Sequence, residues 1–126
     1  MKTQHIGIVI TRPPHGSDSA SQALDTALAC AAFDQPVTVI FQDDGIWQLL
    51  PQPVASPLGD KSLLAQFHLM PLYGVASVRI CQDSLRHAGI DAGQLALNDA
   101  LNSLAELKSR AELSNELAQL DQVWVY

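Results

Sequence analysis

His5-Ile6-Gly7-Ile8-Val9-Ile10-Thr11, a helical pattern over 17–33, and then Val37-Thr38-Val39-Ile40-Phe41 decide the fold. The first run is continuously apolar, as a strand covered on both faces must be. Within 17–33, Ala20, Ala23, Leu24, Ala27, Leu28 and Ala31 recur at the spacing of one helical face, and Ser17, Asp18 or Ser19 can cap its start. Pro36 restarts an extended segment. Strand, helix and strand in this order within so short a span is the pattern of a parallel βαβ unit.

The same alternation continues outward. Asp43-Asp44-Gly45 closes the second strand, and residues 46–50 form a short helical turn before a loop marked by Pro51, Pro53 and Pro57. Residues 60–73 carry a broad apolar stripe of Leu63, Leu64, Phe67, Leu69 and Met70 and are expected to be helical. Val75-Ala76-Ser77-Val78-Arg79-Ile80 is the third strand, and 82–88 the next helix, with Gly89 where a C-terminal cap belongs. The Leu/Ala-rich stretch 91–108 favours helix, but the alternation asks for a fourth strand, placed within 101–108. Ser109-Arg110-Ala111-Glu112 fits a capping box opening the last helix, and Gln122-Val123-Trp124-Val125-Tyr126 is a last strand. The expected fold is α/β: a three-layer open sheet of about five mostly parallel strands with helices on both faces, in one domain spanning 1–126.

Bulk properties narrow the function. With 126 residues, 48% hydrophobic and 16% charged, the chain can build a full core without disulfide or metal staples and is not disordered. The low charge content suggests that part of the surface is covered by partners. The net charge of −6 divides evenly, with −3 on residues 1–63 and −3 on 64–126. Nucleic-acid binding needs a clustered basic footprint, so direct RNA or DNA contact is not expected. The first residues show no signal-peptide pattern and no apolar stretch is long enough for a membrane span. A cytoplasmic protein with both cysteines reduced is expected.

Candidate chemistry collects at strand ends, because ligand sites in open α/β sheets lie beyond the carboxyl ends of the strands. Three turns fall there: Pro14-His15-Gly16, Asp43-Asp44-Gly45 and Cys81. Cys81 stands where the third strand meets a helix. There it is either a reactive thiol favoured by backbone N–H groups or a small buried filler. Asp83 opposes its ionisation, whereas Arg79 and Arg86 favour it. Cys30, in the last turn of the first helix among alanines, reads as packing. There is no G-x-G-x-x-G, no phosphate-loop lysine, no zinc spacing among His5, His15, His68 and His87, no Cys-x-x-Cys and no nucleophile elbow. No cofactor or metal is expected. Trp47, Leu49 and Leu50, with Phe67 and Met70 behind them, are read as an apolar interface.

Taken together, Pro13-Pro14-His15-Gly16, Asp44-Gly45-Ile46-Trp47-Gln48-Leu49-Leu50-Pro51, Leu72-Tyr73-Gly74, and Cys81 through Ser84-Leu85-Arg86 to Gly89 resemble the TusC/DsrF family within the DsrE-like superfamily. The resemblance runs over 6–85 and resumes in the last helix and strand, and departs from the family over 91–108. It implies a DsrE-like parallel α/β subunit in a heterohexamer with homologous B-type and D-type chains. Such complexes pass cysteine persulfide sulfur between upstream and downstream carrier proteins for 2-thiolation of the tRNA wobble uridine. A related complex serves intracellular sulfur oxidation. Cys81 matches the superfamily's sulfur-carrying position. The resemblance, however, assigns the principal thiol to the D type, which makes this chain mainly structural and non-catalytic on its own. In that setting Cys81 would be an accessory persulfide carrier and His15 its support. The alternatives are a subunit of the sulfur-oxidation type or a stand-alone flavodoxin-like module for a small ligand.

Overall fold

The computed structural model describes residues 3–14, 18–51 and 63–126. Strand β1 is Ile6–Ile10, with all five residues buried, and is followed by α1 (Ser19–Ala32) and β2 (Val37–Phe41). A 3₁₀ turn, Asp43–Leu49, leaves β2. Helix α2 (Leu63–Phe67) and a second 3₁₀ turn (Met70–Tyr73) lead into β3 (Ser77–Cys81) and α3 (Gln82–Ala88). The chain then runs through a turn at Ala92–Gln94, α4 (Asp99–Leu104), β4 (Ala105–Lys108), α5 (Arg110–Ala118) and β5 (Gln122–Val125).

The five strands lie in the order β4-β3-β2-β1-β5, and each neighbouring pair is parallel. Steps from β1 through β4 all move the same way across the sheet. Right-handed crossovers therefore place their connecting segments on one face. The return from β4 to the far side of β1 runs in the opposite sense, which puts α5 on the other face. Side chains bear this out. Ile6, Ile8, Ile10, Val37, Val39, Phe41, Val78 and Ile80 pack on the first face against Ala20, Ala23, Leu24 and Ala27 of α1 with Phe67, Met70 and Leu101. Val9, Ile40 and Cys81 pack on the second face beneath Leu113, with Leu117 and Val123 beside them.

Helices do cover both faces, but α5 covers only part of the second. Beyond its reach that face turns polar. Thr38 Oγ1 and Ser77 Oγ are 2.7 Å apart, and Arg79 Nε donates to both carboxylate oxygens of Glu116 at 3.3 Å. This is why β3 alternates, with Ser77 and Arg79 on one side and Val78 and Ile80 on the other, while β1 does not.

The stretch 91–108 resolves into turn, helix and strand. Asp91 and Gln94 form a reciprocal capping box, Asn98 caps α4 by accepting from the Leu101 amide at 2.9 Å, and the fourth strand occupies the second half of the expected window. Ser109 and Glu112 form the expected box at the start of α5. Gly89 closes α3 at φ +73°, with Gly89 N–H on the Arg86 carbonyl and Ile90 N–H on Leu85.

Two expectations need correction. The helix read over 60–73 is broken: α2 ends at Phe67 and Pro71, which has no N–H to continue an α-helix, sits in the 3₁₀ turn that follows. Residues 60–62 lie outside the described residues. The apolar interface is also largely core. Leu49, Phe67 and Met70 are fully buried. In the 3₁₀ turn, residues three apart eclipse one another, so Ile46 and Leu49 both point inward. Phe67 meets Phe41 edge-on at 5.1 Å between ring centroids. Trp47 stays exposed and Leu50 is half-buried.

Candidate functional site

Cys81 is the last residue of β3 and Lys108 the last of β4, and the two are register partners. From Cys81 the chain turns into α3, whose Leu85 joins the first-face core. From Lys108 it turns into α5 on the second face. Neighbouring strands whose connections leave toward opposite faces open a crevice at their carboxyl ends, the usual ligand position in open α/β sheets. Topology therefore singles out the space around Cys81, Ser84 and Arg110.

The crevice is closed by a compact polar network. Cys81 is fully buried among Val9, Ile40 and Leu113, and its Sγ accepts from the Ser84 amide at 3.4 Å, capping α3. The Ser84 hydroxyl accepts from the Asp43 amide at 2.8 Å and from Arg110 Nη2 at 3.3 Å. Arg110 Nη2 also pairs with Asp43 Oδ1 at 2.7 Å, and the Arg110 amide donates to Asp83 Oδ2 at 2.7 Å. Hydrogen bonding to the Asp43 carboxylate, and then its charge, raise the Arg110 guanidinium above its ordinary value. Beside the pair lies a hollow of about 170 Å³ lined by Asp43, Asp44, Ser84, His87, Ala88 and Arg110.

Local sequence explains why Asp43 reaches this point. Asp43 adopts a left-handed conformation, φ +53°, which aspartate tolerates better than most residues. Gly45 then lies against β1 so closely that a Cβ would collide with the Ile10 carbonyl oxygen. Glycine is what lets the turn fold tightly over the sheet edge.

Of the three strand-end turns named from sequence, those at Asp43 and Cys81 meet through Ser84. His15 lies outside the described residues. Arg86 pairs with Asp83 and Arg79 with Glu116 and Glu106, so neither is committed to Cys81. The cation near the thiol is Arg110, which the sequence reading missed along with Ser84. Both follow strand ends, and the switch-point rule would have nominated Arg110 once β4 was placed. As arranged, the network holds the thiol away from solvent. In α1, partial burial pushes the Cys30 thiol up from its ordinary value.

A second surface stands at the opposite edge, where β2 and β3 begin. Phe33, Leu72 and Tyr73 are 72%, 77% and 55% exposed, with Leu69 nearby in sequence. The turn bearing Leu72 and Tyr73 packs on α1, just before Phe33. Among the described residues no group of three or more His, Cys, Asp or Glu side chains is placed to hold a metal ion. No described helix is long and apolar enough to cross a membrane.

Comparison with known proteins agrees with this architecture. The chain is 36% identical over 121 residues to a protein named TusC homolog from Pseudomonas aeruginosa, covering 96% of this chain and 97% of that one. It is 31% identical over 104 residues to a TusC homolog from Vibrio parahaemolyticus, covering 82% and 88%. The crystal structure of the ychN protein from E. coli has the same fold, with a TM-score of 0.78 at 21% identity, covering 98% of this chain and all of the other. Residues 4–122 match the model of the DsrE/DsrF-like family, and the chain belongs to that family.

Proposed function

We propose that this protein is a subunit of a sulfur-relay complex of the TusBCD type. It completes a cytoplasmic assembly with B-type and D-type chains, and the assembly passes persulfide sulfur toward 2-thiolation of the tRNA wobble uridine. Relay chemistry is a thiol exchange: an acceptor thiolate attacks the outer sulfur of a donor persulfide, one S–S bond forms as another breaks, and the donor leaves as thiolate. No external oxidant is required. A carrying cysteine must therefore be reachable by a partner's thiol.

The observation that carries a structural role for this chain is the complete burial of Cys81 beneath Ser84, Arg110 and Leu113. A subunit role is further supported by Phe33, Leu72 and Tyr73, which offer a large apolar area to neighbouring chains. Trp47, in the 3₁₀ turn after β2, adds a further exposed aromatic side chain.

The test is co-expression with B-type and D-type chains in cells lacking this subunit, reading 2-thiouridine in tRNA by mass spectrometry. Cys81→Ser is expected to co-purify with both partners and to restore thiolation. Loss of thiolation from a fully assembled complex would make Cys81 a carrier. Failure of the wild-type chain to co-purify with either partner would overturn the subunit role.

A further inference from the structure

We infer that the Arg110–Asp43 ion pair is a latch over Cys81 that sets how often the thiol is exposed to reagents in solution. The inference concerns the isolated chain and holds whether or not the protein serves a sulfur relay.

The enclosure of Cys81 has two kinds of wall. Val9, Ile40 and Leu113 form the apolar one, and opening it means lifting α5 off the sheet. The other is Ser84, fixed from outside by Asp43 and Arg110. These contacts tie the turn after β2, α3 and α5 across the crevice at one point. Both charged side chains are half exposed, and exposed ion pairs are weak and screened by salt. The hollow of about 170 Å³ alongside gives the guanidinium space to swing into once it leaves Asp43. Parting the pair takes Arg110 off Ser84 and leaves the Asp43 amide as its one remaining tie from outside, without unpacking Leu113. Local opening therefore precedes global unfolding at this thiol.

The experiment uses the full chain with Cys30→Ser, which leaves Cys81 as its one cysteine. Alkylation by iodoacetamide under native conditions is followed by mass spectrometry, and thermal midpoints are measured for each variant. Asp43→Asn is the sharper probe, because asparagine accepts the left-handed backbone at this position and leaves Arg110 in place. Asp43→Asn and Arg110→Gln are expected to alkylate about three- to tenfold faster, the range of a half-exposed ion pair with a charge-assisted hydrogen bond. Added NaCl is expected to speed the parent protein and to leave both variants nearly unchanged. Equal rates in all three proteins would overturn the latch. So would rate increases no larger than each variant's loss of global stability predicts. Slower alkylation of Arg110→Gln would mark Arg110 as an activator of the thiolate and would also overturn it.

Discussion

Cys81 and Lys108 face each other across β3 and β4 as the final residues of their strands, and the chain leaves them toward opposite faces of the sheet. That relationship creates the crevice, and Cys81 is its floor. Its Sγ both fills an apolar gap and caps α3 through the Ser84 amide. Cys81→Ser keeps the acceptor but buries a hydroxyl among Val9, Ile40 and Leu113. It is expected to cost about 1–3 kcal/mol, measured by urea denaturation of the isolated chain. A change within error would mean that the hydroxyl has found a partner in the Ser84 network.

Phe67 and Leu72 are five residues apart and separate core from surface. Phe67 is fully buried against Phe41, whereas Leu72 is 77% exposed. Phe67→Ala is expected to destabilise the isolated chain by about 3–5 kcal/mol. Leu72→Ala is expected to shift it by no more than about 0.5 kcal/mol while weakening co-purification with partner chains. Equal losses of stability would mean that the 3₁₀ turn carries more of the core than its exposure implies.

Much of this fold is readable in the residues. The unbroken apolar run at β1, the helical spacing of the α1 alanines and the capping box at Ser109 each state their element locally. Leu49, Phe67 and Met70 belong to the core and not to an interface, and the residues alone hide this because a broad apolar stripe looks the same whether it faces a partner or the chain's own sheet. Only the inward fold of the Asp43–Leu49 turn, which Gly45 permits, separates Leu49 from Trp47. The site was half legible. Cys81 and Asp43 announced themselves as strand-end residues, but Arg110 becomes a neighbour only through the β3–β4 pairing. Nothing local in Ser109-Arg110-Ala111 points to a thiol 29 positions earlier in the chain.

The pairing of charges bears on nucleic acids. Arg79, Arg86, Lys108 and Arg110 each pair with a carboxylate, and the chain carries −6 overall. Isolated protein is expected to show no salt-sensitive binding of tRNA at neutral pH in filter-binding or anisotropy titrations. Micromolar binding that falls steeply with added salt would reveal a basic surface not formed by these residues.

Glu112 gives the start of α5 a pH dependence of known sign. Its carboxylate accepts from the Ser109 amide at 2.9 Å while the Glu112 amide donates to the Ser109 hydroxyl at 3.1 Å. These bonds to Ser109, backbone first, hold the Glu112 carboxyl below its ordinary value. A group depressed in the folded state stabilises the fold while ionised. Its contribution is present above the ordinary glutamate value of about 4.3 and is lost as pH falls through the lower folded value. Glu112→Gln can still accept from the Ser109 amide but cannot titrate. The variant is expected to lose less stability than the parent between neutral and acid pH, read as thermal midpoints across that range. Loss of thiolate slows alkylation of both proteins alike as pH falls. Because α5 covers Cys81 through Leu113, the ratio of the Cys81 alkylation rate in the Cys30→Ser parent to that in its Glu112→Gln variant is expected to rise on entering the acid window. Parallel pH profiles for the two proteins would show that the box at Ser109 does not govern how firmly α5 is seated.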